Sequence, residues 1–108
     1  ELFGQSIRGT SQWQRVSDTA ATAALGFAAP AQVGTIDLRE SIEEGQRVAQ
    51  HIVEALTDTG WREVARGTTI GHRRLHQIDP IRTSRLRIRI DDAVAPPLPL
   101  DVRAYPPA

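Results

Sequence analysis

Three histidines, three runs of charge and one tryptophan are the residues of this chain whose types could do chemistry. His72 and His76 lie four apart in "GHRRLH", and His51 stands upstream in "VAQHIVEAL". Two His four apart on one helix turn could share a metal, but on an extended strand they sit about 13 Å apart. Neither has the flanking Glu of a zinc helix, and the chain contains no Cys to complete a ligand set. The spacing therefore favours polar strand residues over a metal centre, and neither a metal nor a cofactor is expected.

Acid–base work needs carboxylates that face one another across a cleft, about 5–9 Å apart for sugar hydrolysis. The adjacent pairs Glu43-Glu44 and Asp91-Asp92 do not meet this condition, because neighbours on a strand point to opposite faces and neighbours in a loop are solvated. No G-x-S-x-G elbow occurs, and "GTTIG" lacks the consecutive amides of a phosphate cradle.

The richest stretch is "GWREVARGTTIGHRRL", Gly60 to Leu75. Trp61, His72 and Arg74 are its candidate sugar contacts, since sugar recognition combines an aromatic face with convergent polar donors. The competing reading makes Trp61 a plug at the core end of a strand, and the burial habit of aromatics favours it. Gly67 and Gly71 suit a bulge and close backbone packing better than ligand contact. Arg73 and Arg74 would point to opposite faces, one pairing with Glu40, Glu54, Glu63 or another domain.

The elements that must position these residues are short and mostly extended. The first twenty residues are weakly periodic and read as loop with one short strand. Gly26 and Pro30 confine any regular element in "ATAALGFAAP" to a few residues. "QVGTIDLRE" alternates like a strand. "SIEEGQRVAQHIVEAL" has a helical pattern instead: Ser41 as N-cap, Glu44 three residues on, then Val48, Ile52, Ala55 and Leu56. After the turn "TDTG", "WREVA" and "TTIGHRRLHQI" read as strands, the second ending at Asp79-Pro80 because Pro cannot donate to a ladder. "SRLRIRI" sets Leu86, Ile88 and Ile90 against Arg85, Arg87 and Arg89, a strand with one wet face. "LDVRAY" makes the last short strand. Short strands separated by turn signals predict an antiparallel β-sandwich.

Bulk properties bound the partners. The 108 residues suit one domain, 40% hydrophobic and 24% charged. All thirteen basic residues are Arg, and thirteen acidic residues balance them to zero net charge. Nucleic-acid binding, which draws on a basic excess, is not expected. No apolar run reaches the ~20 residues of a membrane-spanning helix, so no membrane partner is expected. A chain that starts with Glu and has no Met reads as a piece of a longer polypeptide, with any targeting signal outside it. Its compartment is left undetermined.

The order of motifs from Ile36 to Ile90 resembles the C-terminal region of glycoside hydrolase family 29, the α-L-fucosidases. An L-x-E-x-I-x-x-G-Q-R-V segment is matched by Leu38, Glu40, Ile42, Gly45, Gln46, Arg47 and Val48. A W-x-x-(I/V)-A-x-G-T-T-I-G-(Y/H)-(K/R)-R segment is matched from Trp61 to Arg74, and an R-x-R-(I/L)-R strand from Arg85 to Arg89.

This resemblance implies an all-β fold, a galactose-binding-like (discoidin-type) jelly roll that follows a catalytic (β/α)8 barrel. It also implies a strand over Val48 to Leu56, where local propensity favours helix; burial in a sheet commonly outvotes propensity. The family's catalytic carboxylates lie in the barrel, so no catalytic residue carries over. The segment before Trp13 is short and has no Asp, which implies an N-terminal edge lacking part of its strands and no calcium loop. The implied role is a non-catalytic accessory domain that packs on the barrel, with Glu40, Arg47 and Arg73 at the interface. A module binding fucosylated or galactosylated glycans and a protein-interaction sandwich are the alternatives.

Overall fold

The structure, a computed structural model, describes residues 5–41 and 45–107. Six strands account for its regular structure: β1 (Gly9–Arg15), β2 (Ala21–Arg39), β3 (Val48–Thr57), β4 (Gly60–Gly67), β5 (Arg74–Ala93) and β6 (Asp101–Tyr105). All pairings are antiparallel, in the order β1-β2-β5-β3-β4 with β6 added to β2. Among the described residues no helix is long and apolar enough to cross a membrane.

The two long strands take part in both layers. Residues 21–26 of β2 lie between β1 and residues 85–90 of β5, which in turn pair with β3, and β3 pairs with β4 at the edge. Residues 35–39 of β2 lie between β6 and the first residues of β5. The change of layer coincides with breaks in register. Between Gly26 and Ala31, β2 advances five residues while β5 moves only from Arg85 to Thr83; between Val33 and Thr35, β5 spans Gln77 to Ile81. Extra residues on one strand of a pair bend it and leave themselves unpaired.

Those breaks correct two sequence expectations. Gly26 and Pro30 do not confine the element, and Asp79-Pro80 does not end one, since β2 and β5 run through them. Pro30 and Pro80 both fall among the unpaired residues of a break, where a missing N–H costs the ladder nothing. The helical pattern is corrected as well: Val48–Thr57 is a strand, as the family resemblance implied. Its proposed capping residue Glu44 lies outside the described residues. "TTIGHRR" is also not strand; residues 68–73 form a turn, and β5 begins at Arg74.

The core is layered by register. Ala21, Ile90 and His51 form one row across the large layer; Ala23, Ile88 and Val53 form the next; Leu25, Leu86 and Ala55 form the third. All nine are buried, and Val33, Ile36, Leu38, Val102 and Ala104 close over them from the small layer. Each buried Leu, Ile or Val side chain contributes roughly 1.5–3 kcal/mol through removal from water. The alternating Arg85, Arg87 and Arg89 occupy the outer face, as the strand period requires.

Candidate functional site

The polar residues collect at two places, at opposite ends of β4. The first is the turn between β4 and β5. His51 Nδ1 lies 3.0 Å from the carbonyl oxygen of Thr68, and its Nε2 lies 2.8 Å from Nε2 of His76. A carbonyl only accepts, so His51 donates from Nδ1 and accepts at Nε2; His76 therefore donates from Nε2. Both rings are neutral in this arrangement. Burial is the leading cause that holds His76 down, to about 4, with His51 and Arg74 adding to it. Burial also lowers His51, with Arg74 in the same direction, opposed by the Thr68 carbonyl and Glu40.

Glu40 fastens the same end. Its Oε1 accepts from Gly71 N at 2.9 Å, and its Oε2 from the amides of Arg47 at 2.9 Å and Val48 at 3.2 Å. Glu40 N donates in return to the Gly71 carbonyl. Gly71 has φ +66°, in the left-handed region that Gly adopts without a Cβ clash. Arg47 reaches the carbonyl of Pro96 at 2.7 Å. Arg73 and Arg39 both bind the buried carboxylate of Asp37, their Nη2 atoms 3.2 and 3.1 Å from its Oδ2.

The second place is a hollow of about 640 Å³ on the outer face of the large layer. Gln12 and Gln14 of β1, Thr22 of β2, Arg85 and Arg87 of β5 and Trp61 of β4 line it. Strand alternation brings these residues to one face, because the partners of the core rows point inward. The Arg87 guanidinium carbon stands 4.2 Å from the centre of the Trp61 ring, within cation–π range. Glu54 holds Arg87 from the other side at 2.8 Å and reaches Arg89 at 3.3 Å. Arg85 donates to the amide oxygen of Gln12 at 3.2 Å.

The residues singled out from sequence are therefore divided between the two places. Trp61 is half-buried on the outer face and not a core plug, because β4 is an edge strand that lends few side chains to the interior. His72 is exposed on the turn and Arg74 lies near Gly67, six residues along β4 from Trp61 and roughly 20 Å away at strand rise. The three do not form one site. Glu40, Arg47 and Arg73 do share an end of the molecule, but Arg73 takes Asp37 as partner and not a Glu.

The His51–His76 contact escapes sequence reasoning because the two lie on different layers, 25 residues apart. Arg85 and Arg87 were legible as an outward face, but nothing local told which aromatic they would meet. Gly67 does what its neighbours ask: a Cβ there would lie 2.8 Å from Cε1 of His51.

The carboxylates at the two polar places are engaged in bonds of their own. Asp37 and Glu54 each face two guanidinium groups, Glu63 binds Arg66, and Glu40 accepts three backbone amides. Asp91 lies 3.8 Å from Arg89, and the pair Glu43-Glu44 lies outside the described residues. No cluster of three or more His, Asp or Glu that could hold a metal occurs among the described residues.

The fold is an antiparallel β-sandwich. The chain is similar to one part of α-L-fucosidases. It is 40% identical over 90 residues to a protein of Oryza sativa subsp. japonica that bears the name alpha-L-fucosidase 1; the match takes in 83% of this chain and 16% of that one. The crystal structure of a glycoside hydrolase 29 family member from an unknown rumen bacterium superposes with a TM-score of 0.80 at 23% identity, over 98% of this chain and 20% of the other. A chitosan-binding module from a Paenibacillus chitosanase/glucanase has the same fold, with a TM-score of 0.68 at 14% identity, over 94% of this chain and 78% of the module. The chain thus spans a small fraction of its fucosidase relatives. No protein-family model matches it.

Proposed function

We propose that this domain is the non-catalytic β-sandwich of an α-L-fucosidase-like glycoside hydrolase, and that it packs on and supports the catalytic (β/α)8 barrel. One observation carries the reading: the sequence match extends over most of this chain and 16% of a fucosidase, leaving room for a barrel in the remainder. The engagement of Asp37, Glu40, Glu54 and Glu63 in ion pairs and backbone bonds supports it, because sugar hydrolysis needs two carboxyls free to exchange protons or attack.

Glu40, Arg47 and Arg73 mark the supporting end. There a carboxylate and two loops are locked by internal bonds, while the exposed His72 and the half-exposed Arg73 offer hydrogen bonds outward. A rigid polar surface suits an interface within one chain, which is more polar than an obligate one.

The test compares the parent polypeptide with and without this domain. Its removal should lower the thermal midpoint of the barrel, and Arg73→Glu should lower it in the same direction. The isolated domain should leave nitrophenyl fucoside intact. Turnover by the domain alone, or a barrel equally stable without it, would overturn the reading.

A further inference from the structure

The hollow on the outer face differs in its chemistry from the rest of that face. Around it the charges are matched, Arg87 and Arg89 with Glu54, and Arg66 with Glu63. Inside it, the exposed Arg85 meets the neutral amide of Gln12, and the lining combines amide, hydroxyl and guanidinium groups with the indoles of Trp61 and Trp13. The floor residues Thr22 and Ala24 are too small to fill it, and its volume of about 640 Å³ lies within the range of sites for small molecules.

We propose that this hollow binds a neutral sugar residue, with Trp61 as the stacking surface and Gln12, Gln14 and Arg85 as partners for its hydroxyls. A pyranose has an apolar C–H face and a polar rim, and this lining offers the same pair of surfaces. Arg87 already rests on the indole and is itself held by Glu54, so the ring is fixed before a ligand arrives and little ordering entropy is lost on binding. An apolar side chain would leave the amides and Arg85 without water or partner, which is costly. A multiply charged anion would find a single cation not already matched by a carboxylate, since Glu54 neutralises Arg87.

The site stands at the Thr57–Gly60 end of β4, away from Glu40, Arg47 and Arg73. It goes beyond the supporting role and does not depend on it, since loss of sugar binding would leave barrel stability as it was.

Titration of the isotope-labelled chain with methyl α-L-fucoside, methyl β-D-galactoside and cellotriose tests the proposal by amide and indole NMR shifts. At least one sugar should move the Trp61 indole N–H and the Gln12 and Gln14 side-chain amides saturably. Arg85→Ala, at an exposed position, should keep the spectrum of the folded chain and weaken binding about tenfold. Trp61→Ala should abolish it. No saturable shift with any of the three sugars at high millimolar concentration would sink the proposal, and so would shifts centred on His72 that Arg85→Ala leaves unchanged. Protection of these same groups by the barrel in the parent enzyme would reassign the hollow to a protein contact and equally overturn it.

Discussion

His51 on β3 and His76 on β5 share one proton across the two layers of the sandwich, Nε2 to Nε2 at 2.8 Å. One ring must accept where the other donates, so the bond tolerates one added proton and not two. Glu40 lies near enough to favour charge on His51, while Arg74 opposes charge on both rings.

That relationship sets a pH dependence. An unfolded His titrates at 6.5, and His76 in the fold is held down to about 4, so the unfolded chain binds more protons between these values. Stability is then fully present above 6.5 and is lost as pH falls toward 4, by on the order of 3 kcal/mol at 1.36 kcal/mol per unit. Urea midpoints from pH 8 to pH 4 should decline in that window, and His76→Gln should flatten the curve.

Glu40 ties three amides of two loops to one side chain. Glu40→Ala leaves those donors without it and should cost about 2–3 kcal/mol. Hydrogen exchange should quicken at Arg47, Val48 and Gly71 ahead of the core strands, which distinguishes a local from a global loss.

Gly67→Ala places a methyl 2.8 Å from His51 Cε1 and 2.9 Å from Arg74 Nη2. Arg74 can swing aside, but the His51 ring is held at both nitrogens and cannot. Overpacking of this kind costs about 1–3 kcal/mol, and thermal denaturation should read it.

Glu54 is 11% exposed at its side chain and faces both Arg87 and Arg89. Glu54→Gln should destabilise the chain by about 1–2 kcal/mol, less than a fully buried pair would, because both Arg side chains reach solvent. It should also free Arg87 from its seat over Trp61, and indole fluorescence should shift relative to wild type.

Much of the fold was legible from periodicity. Leu86, Ile88 and Ile90 pointed inward because a strand of period two with Arg between them has one wet face. Val48–Thr57 was not, since Val48, Ile52 and Leu56 fit a helix equally well, and only the register with β4 and β5 decides between them. Pro30 and Pro80 misled for the opposite reason: their local meaning is to stop a strand, yet a strand that bends into a second layer needs unpaired residues there. Of the site, residue types were readable and neighbours were not. Trp61 carried its stacking chemistry openly, but its company of Arg87, Gln12 and Arg85 comes from two other strands, β5 and β1, whose place in the sheet no local pattern encodes.

The passage of β2 and β5 through both layers has a mechanical consequence. Two sheets joined only by loops can slide or part while each keeps its own ladder. Here a displacement of one must drag covalent backbone out of the other, so the domain yields as one block. Such a block can transmit force from one end to the other.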